Sequence, residues 1–493
     1  MSQVTPGVIL LIIAIYFGVL ILISRISSRN ADNQTFFLAN RNSPWLLVAI
    51  GMIGASLSGV TFISIPGVVG GEGYNMDFSY MQMVFGYLVG YFIIATVLMP
   101  IYYRLNLTSI YGYLESRLGF NAYKTGAFYF LLSRTIQGSF RLFLVAIVLQ
   151  KFVMDAMGVP FFLTVLFTIL LIWVYTYKGG IKTIVITDTL QTVCMLTAVS
   201  FTIWYIGKEL GLDGIGGIID TVKNSEYSKM WFFEEGWNDP NNFFKQFGSG
   251  ALIAVVMTGL DQDMMQKNLT CRTLGDAQKN MFTFSVILIF ANILFLSLGA
   301  LLYIFAASKG IELPVRTDQV YPTIALEYLP AVVGVFFILG LIAAAYSSAD
   351  SALTSLTTAF CIDFLNFEKS DKSEEEKKKT RLMVHVGFSV LILIIIIIFN
   401  ALNDDAVINS LFKAAGYTYG PILGLFAFGI MTKRKVMNKG VIWVAVLAPI
   451  ITYILDSNSA QWFNGFQFGF TNLALNGLLT FIGLWLISHG KDK

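Results

Sequence analysis

The feature that most limits what this chain can fold into is its series of apolar segments, each long enough to cross a hydrocarbon layer about 30 Å thick at about 1.5 Å of helical rise per residue. A window of about 19 residues picks out thirteen of them, here α1 to α13, near residues 7–26, 45–69, 77–103, 122–153, 158–177, 184–207, 247–266, 280–307, 326–361, 380–399, 407–431, 438–456 and 467–488. Only 13% of the 493 residues are charged against 56% hydrophobic, too few charges to cover a soluble protein of this size. The expected fold class is an all-α membrane protein of thirteen transmembrane helices. The first segment, GVILLIIAIYFGVLILIS, lacks a preceding positive region and runs into Arg25 and Arg29 instead of a small-residue cleavage site, so it reads as a retained span.

Loop charge gives an independent test. With the N-terminus outside, the inside loops carry Arg25, Arg29, Arg41; Arg104, Arg117, Lys124; Lys178, Lys182; Lys267, Arg272, Lys279; the run EKSDKSEEEKKKTR; KRK with Lys439; and Lys491 and Lys493. The outside loops are poor in Lys and Arg: GGEGYNMDFS has none and ALNDDA is acidic. This alternation predicts N outside, C inside, in a plasma membrane. The stretch 208–246 is polar and Gly-rich and reads as an outside cap or lid. The loop 368–381 reads as a solvated connector.

The formal net charge of +3 argues for neither nucleic acid nor an acidic partner; the partners expected are the bilayer and a small solute. Cys194, Cys271 and Cys361 show no paired spacing, and His385 and His489 are the only histidines, so the chain has little from which to build a metal or triad enzyme. No enzyme activity is expected.

Polar groups inside spans are costly and point to function. In AAAYSSADSALTSLTT of α9, Ser347, Asp350, Ser351, Thr354 and Thr358 recur every three or four residues and share one face. Such a stripe can join helices by hydrogen bonds, or offer a monovalent cation the oxygen ligands it prefers. Asp188 in α6 could bring a second carboxylate to the same place. In α2, GMIGASLSGVTFISIPG interrupts the apolar run with glycines, hydroxyls and Pro66; α7, SGALIAVVMTGLDQDMMQ, is its partner five spans later. Broken helices at matching positions in two halves are a sequence pointer to a transport site, because unwound backbone survives in lipid only where it lines a cavity or is buried. On α4, Arg134, Gln137 and Arg141 share a face, with Arg134 roughly 16 Å into the span. A guanidinium there needs an anion, either Asp350 or another internal acid, or the solute itself.

These stretches, with FFLANRNSPW, YYRLNLTSIYGYLESRLG, YTYKGGIKTIVITDTLQ, DQDMMQKNL and GYTYGPILGLFAFGIMTKR, resemble the sodium/solute symporter family from α1 to the end of α11. The resemblance implies a leucine-transporter-like fold with a 5+5 inverted repeat: an extra helix at 1–30, a first repeat at 43–207, the segment 208–246, a second repeat at 247–431, and two further helices at 438–493. It implies Na+ as the coupled ion, bound by carbonyls and hydroxyls at Gly54, Leu57, Ala344, Ser347 and Ser348, and a second sodium site, as in members resembling the sialic acid symporters, at Asp188, Ser347, Asp350 and Ser351. The family usually has alanine where Gly54 stands, and Asp350 replaces a serine. The solute site it implies falls on Ser56, Ser58, Thr61, Gln82, Arg134, Gln137 and Tyr417, and the arginine face adds Arg141; the helix arginine that grips a carboxylate in the sialic acid members aligns with Gln137. The expected function is sodium-coupled import of a small organic solute, anionic such as a sialic acid or monocarboxylate. The alternatives are a neutral sugar, polyol or amino acid, or a membrane sensor on the same core.

Overall fold

The computed structural model describes residues 5–27, 33–176, 180–234, 236–367, 370–402 and 406–490. Arg29, Lys178, Lys491 and Lys493, residues 368–369 of the charged loop and 403–405 of ALNDDA lie outside the described residues. Among the described residues, nine helices are long and apolar enough to cross a membrane, or twelve when each of three bent pairs counts as one span. All correspond to the segments read from hydropathy: α1 Pro6–Ser27, α3 Tyr80–Arg104, α6 Gly180–Glu209, α8 Leu274–Lys309, α9 Ala331–Phe364, α10 Glu374–Leu402, α11 Val407–Met431, α12 Gly440–Ser457 and α13 Gly469–Leu486. The bent pairs are the two halves of α2, Trp45–Ser56 and Gly59–Val68, meeting at 53°; the two halves of α7, Phe243–Gly259 and Gln262–Asn268, at 67°; and α4 with α5, Phe120–Met157 and Phe161–Val174, at 118°.

Local chemistry accounts for each bend. At α2 the chain leaves helical geometry at Leu57 (ψ 64°) and is extended at Ser58. In α7 a π-helical turn over Val255–Gly259 loosens the first half, and Asp261 starts the second by accepting the N–H groups of Asp263 and Met264. Between α4 and α5, Gly158 takes the left-handed conformation at φ +66° and Pro160 follows, so the helix cannot continue.

The helices sort by burial. In α9 every residue from Gly340 to Ala359 is buried, as expected of an apolar helix surrounded by protein, whereas α10 and α12 keep large apolar side chains such as Val390, Ile394, Trp443 and Ile450 exposed. Backbones meet where glycines allow it: a Cβ on Gly86 of α3 would stand 2.1 Å from the Phe247 carbonyl of α7, and one on Gly250 of α7 2.2 Å from that of Met83. The same device fuses α11 to α13, where Gly416 and Gly420 face Asn472 and Asn476. A two-residue antiparallel pair, Lys435–Val436 with Ser488–His489, ties the loop after α11 to the end of α13.

Segment 208–246 contains one amphipathic helix, Gly214–Lys223, and is fastened down. Asn241 accepts from the Asn75 N–H and donates to the Gly73 carbonyl, and Lys245 Nζ donates to the carbonyls of Trp237 and Gln467. One of the charges read as a cytoplasmic loop residue is corrected: Lys267 is 1% exposed, inside the second half of α7, because a buried carboxylate pairs with it.

Candidate functional site

Both helix breaks lie against the buried α9 and are finished differently. At α7 the carbonyls of Gly259 and Leu260 accept from the Tyr102 and Tyr111 hydroxyls, each at 2.9 Å, and the Asp261 carboxylate accepts from Tyr419. Protein groups thus take up the polar atoms this break releases. At α2 the groups that meet the backbone come from a cation and from hydroxyls. The Ala55 carbonyl accepts from Arg141 Nη1 at 3.2 Å and from Ser348 Oγ at 3.4 Å, and Thr192 of α6 donates to the carbonyls of Ile50 and Asp188.

Gly54, Leu57, Ala344, Ser347 and Ser348, predicted as a sodium site, come together here: Ala55 lies between the first two, and Ser348 bonds to the carbonyls of both Ala55 and Ala344. Gly54 is tightly enclosed, for an added Cβ would lie 2.4 Å from Thr192 Oγ1 and 3.3 Å from Ser347 Oγ. The alanine usual in the resembling family would force Thr192 to move.

The second predicted site is rearranged. Asp188 is fully buried, accepts from Ser347 Oγ at 2.7 Å on one oxygen, and holds Lys267 Nζ at 2.6 Å on the other. Ser351 donates to Asp263, not Asp188. Asp350 is buried in α9, and the internal acid that pairs with Arg134 is Asp263. Thr358, the last of the stripe, accepts from Gln266 at 3.2 Å. The α9 stripe therefore faces α6 and the second half of α7.

A cavity opens beside the α2 break. Ser56, Ser58, Thr61, Arg134 and Arg141 of the predicted solute site line it, with Tyr80, Tyr87, Tyr91, Thr258 and Asn292 among the others. Arg141 has one hydrogen bond among the described residues, to the Ala55 carbonyl, and no carboxylate at ion-pair distance. Three predicted residues are not among the lining side chains. Gln82 binds the Phe232 N–H and the Asn241 carbonyl, anchoring the segment above. Gln137 is buried one turn from Arg134. Tyr417 donates to Asp456 of α12, on the other side of α11, whose lining residues are Ile408, Leu411 and Phe412.

Asp261, Asp263, Thr192 and Tyr419 are not among the residues predicted for the site, and Lys267 is predicted only as an inside-loop charge. The available signal was DQDMMQKN itself: polar side chains of mixed sign directly after a glycine break, every one buried in the structure. A surface helix of that composition would leave one face wet.

Against known proteins, residues 36–447 match the model of the sodium:solute symporter family. Similar proteins include a sodium/sialic acid symporter, SiaT, of Proteus mirabilis, 26% identical and covering 93% of this chain and 89% of its own. Another is the sodium/sialic acid symporter NanT of Aliivibrio fischeri, 24% identical over 92% and 88%. A solved structure of a Na+-coupled sialic acid symporter, 20% identical, superposes with a TM-score of 0.81 over 97% of both chains, and Mhp1, a nucleobase-cation-symport-1 family transporter, 13% identical, with 0.55 over 94% of this chain and 96% of its own. These two likenesses establish a membrane transporter fold.

Proposed function

The chain belongs to the sodium:solute symporter family, and on that premise we propose how its residues divide the work of sodium-coupled solute transport. The solute is a small organic anion bound in the cavity beside the α2 break, with Arg141 as the group that meets its carboxylate. The observation that carries this is Arg141: a buried guanidinium lining the cavity, joined to one carbonyl, while the neighbouring Arg134 is committed to Asp263. A cation in that position is paired when an anion arrives and poorly compensated before, and the guanidinium fork suits a carboxylate. Hydroxyls of Ser56, Ser58, Thr61 and Tyr87 are at hand for the rest of a polar solute. The relatives named for sialic acid support an anion of that class.

Sodium is held by the carbonyls of Gly54, Leu57 and Ala344 and the hydroxyls of Ser347 and Ser348, uncharged oxygens that suit a hard monovalent ion. Sodium draws the α2 break toward α9 and completes the solute site. Rocking of two inverted repeats, 43–207 and 247–431, then releases both inward. The sodium gradient drives the cycle, and the membrane potential adds about 2.3 kcal/mol per charge per 100 mV. A 118° reversal between α4 and α5 supports two spans there, hence thirteen in all, with N outside and C inside; the helix 1–30 precedes the repeats, 208–246 caps the outside, and 438–493 follows.

The test is thermal stabilisation of the purified protein in sodium chloride against choline chloride, with acetate, lactate, sialic acids, proline, galactose and inositol. An acidic solute that stabilises in sodium alone is expected, by linkage. Stabilisation by galactose, inositol or proline, and by none of the acids, would replace the anionic reading with a neutral one.

A further inference from the structure

Two observations about Asp188 point beyond this assignment. Its carboxylate, predicted as the heart of a second sodium site, is taken by Lys267, whose ammonium lies 2.6 Å from Oδ2 in an environment where both side chains are at most 1% exposed. The other oxygen is taken by Ser347, one of the proposed ligands of the main site. An ammonium is itself a compact monovalent cation. A sodium ion taking its place would leave that charge buried and unpaired, the costly way to break a buried pair.

We propose that Lys267 is a tethered cation standing permanently in the second cation position, so that this chain couples transport to a single sodium ion where a carboxylate without such a lysine would recruit two. The inference rests on the sodium reading above. Lys267 is a positioning residue here: it sets how many ions bind and holds the second half of α7 against α6, without touching the solute.

The experiment is sodium binding to the purified protein, followed as bound radioactive sodium per polypeptide and as the slope of thermal stabilisation against the logarithm of sodium concentration, which scales with the number of sites filled on the folded state. The wild type is expected to bind one sodium, and Lys267→Arg, which keeps the charge, also one. Lys267→Met leaves Asp188 in need of a cation and is expected to bind two, with about twice the limiting slope. Should that variant fail to fold, Asp188→Asn with Lys267→Met, which removes both charges together, is expected to fold and to bind one. Two ions on the wild type, falling to one in Asp188→Asn, would overturn the proposal. So would a folded Lys267→Met protein that still binds one. Absence of sodium binding to every variant, the wild type included, would instead overturn the sodium reading itself, and this inference with it.

Discussion

At the scale of single residues, two arginines two turns apart on one face of α4 are held differently. Arg134 and Asp263 form a buried ion pair, and removing one member of such a pair costs roughly 3–5 kcal/mol because the other stays buried and charged. Arg134→Gln should therefore lower the unfolding temperature and the yield, measured by size-exclusion thermal profiles, whatever the solute. Arg141, bonded to one carbonyl, should be replaceable by Gln at small cost in stability. Its expected loss is tenfold or more in affinity for an acidic solute, about 1.4 kcal/mol, with little change for a neutral analogue, read by solute-dependent stabilisation. Equal losses for acidic and neutral solutes would make Arg141 structural. For Ser348 the two bonds are long, 3.4 Å each, so Ser348→Ala should change stability by under about 1 kcal/mol while abolishing sodium-dependent uptake into proteoliposomes. Sodium-dependent transport in that variant would remove Ser348 from the site.

At the scale of elements, α11 shows how a helix with an internal proline is held. Pro421 has no N–H to give the carbonyl of Tyr417 four residues before it. Asn476 of α13 supplies the missing donor at 2.9 Å and also bonds the Gly416 carbonyl at 3.0 Å, the close approach being possible because Gly416 and Gly420 have no side chains. Asn476→Leu should cost roughly 1–3 kcal/mol, the penalty for leaving a buried acceptor unsatisfied. Pro421→Ala, which restores a backbone donor, should recover part of that loss in the double variant, as a double-mutant cycle of unfolding free energies will show. Hydropathy located α11, but it could not identify Asn476 as the partner of its backbone. The same limit explains Tyr417: the family resemblance implied it for the solute site, and its hydroxyl goes to Asp456 of α12.

At the scale of the whole molecule, loop charge predicts that Asn224 and Ser373, both exposed, lie on opposite sides of the membrane. In a variant lacking Cys194, Cys271 and Cys361, a cysteine at 224 should react with an impermeant thiol reagent in intact cells, and one at 373 only after permeabilisation. Reaction of both in intact cells would end the thirteen-span topology. The class of protein, the positions of its spans, the two breaks and the polar stripe of α9 were all readable in one dimension, because hydropathy, glycine placement and helical period are local quantities. Which charge meets which was not. Asp188 and Lys267 are 79 residues apart, and Arg134 and Asp263 are 129 apart. Spacing along a helix says which side chains share a face, but only the packing of α4, α6, α7 and α9 decides what that face meets. In a medium that cannot solvate a lone charge, that meeting determined which arginine pairs with an internal acid, which meets only a carbonyl, and which carboxylate already has its cation.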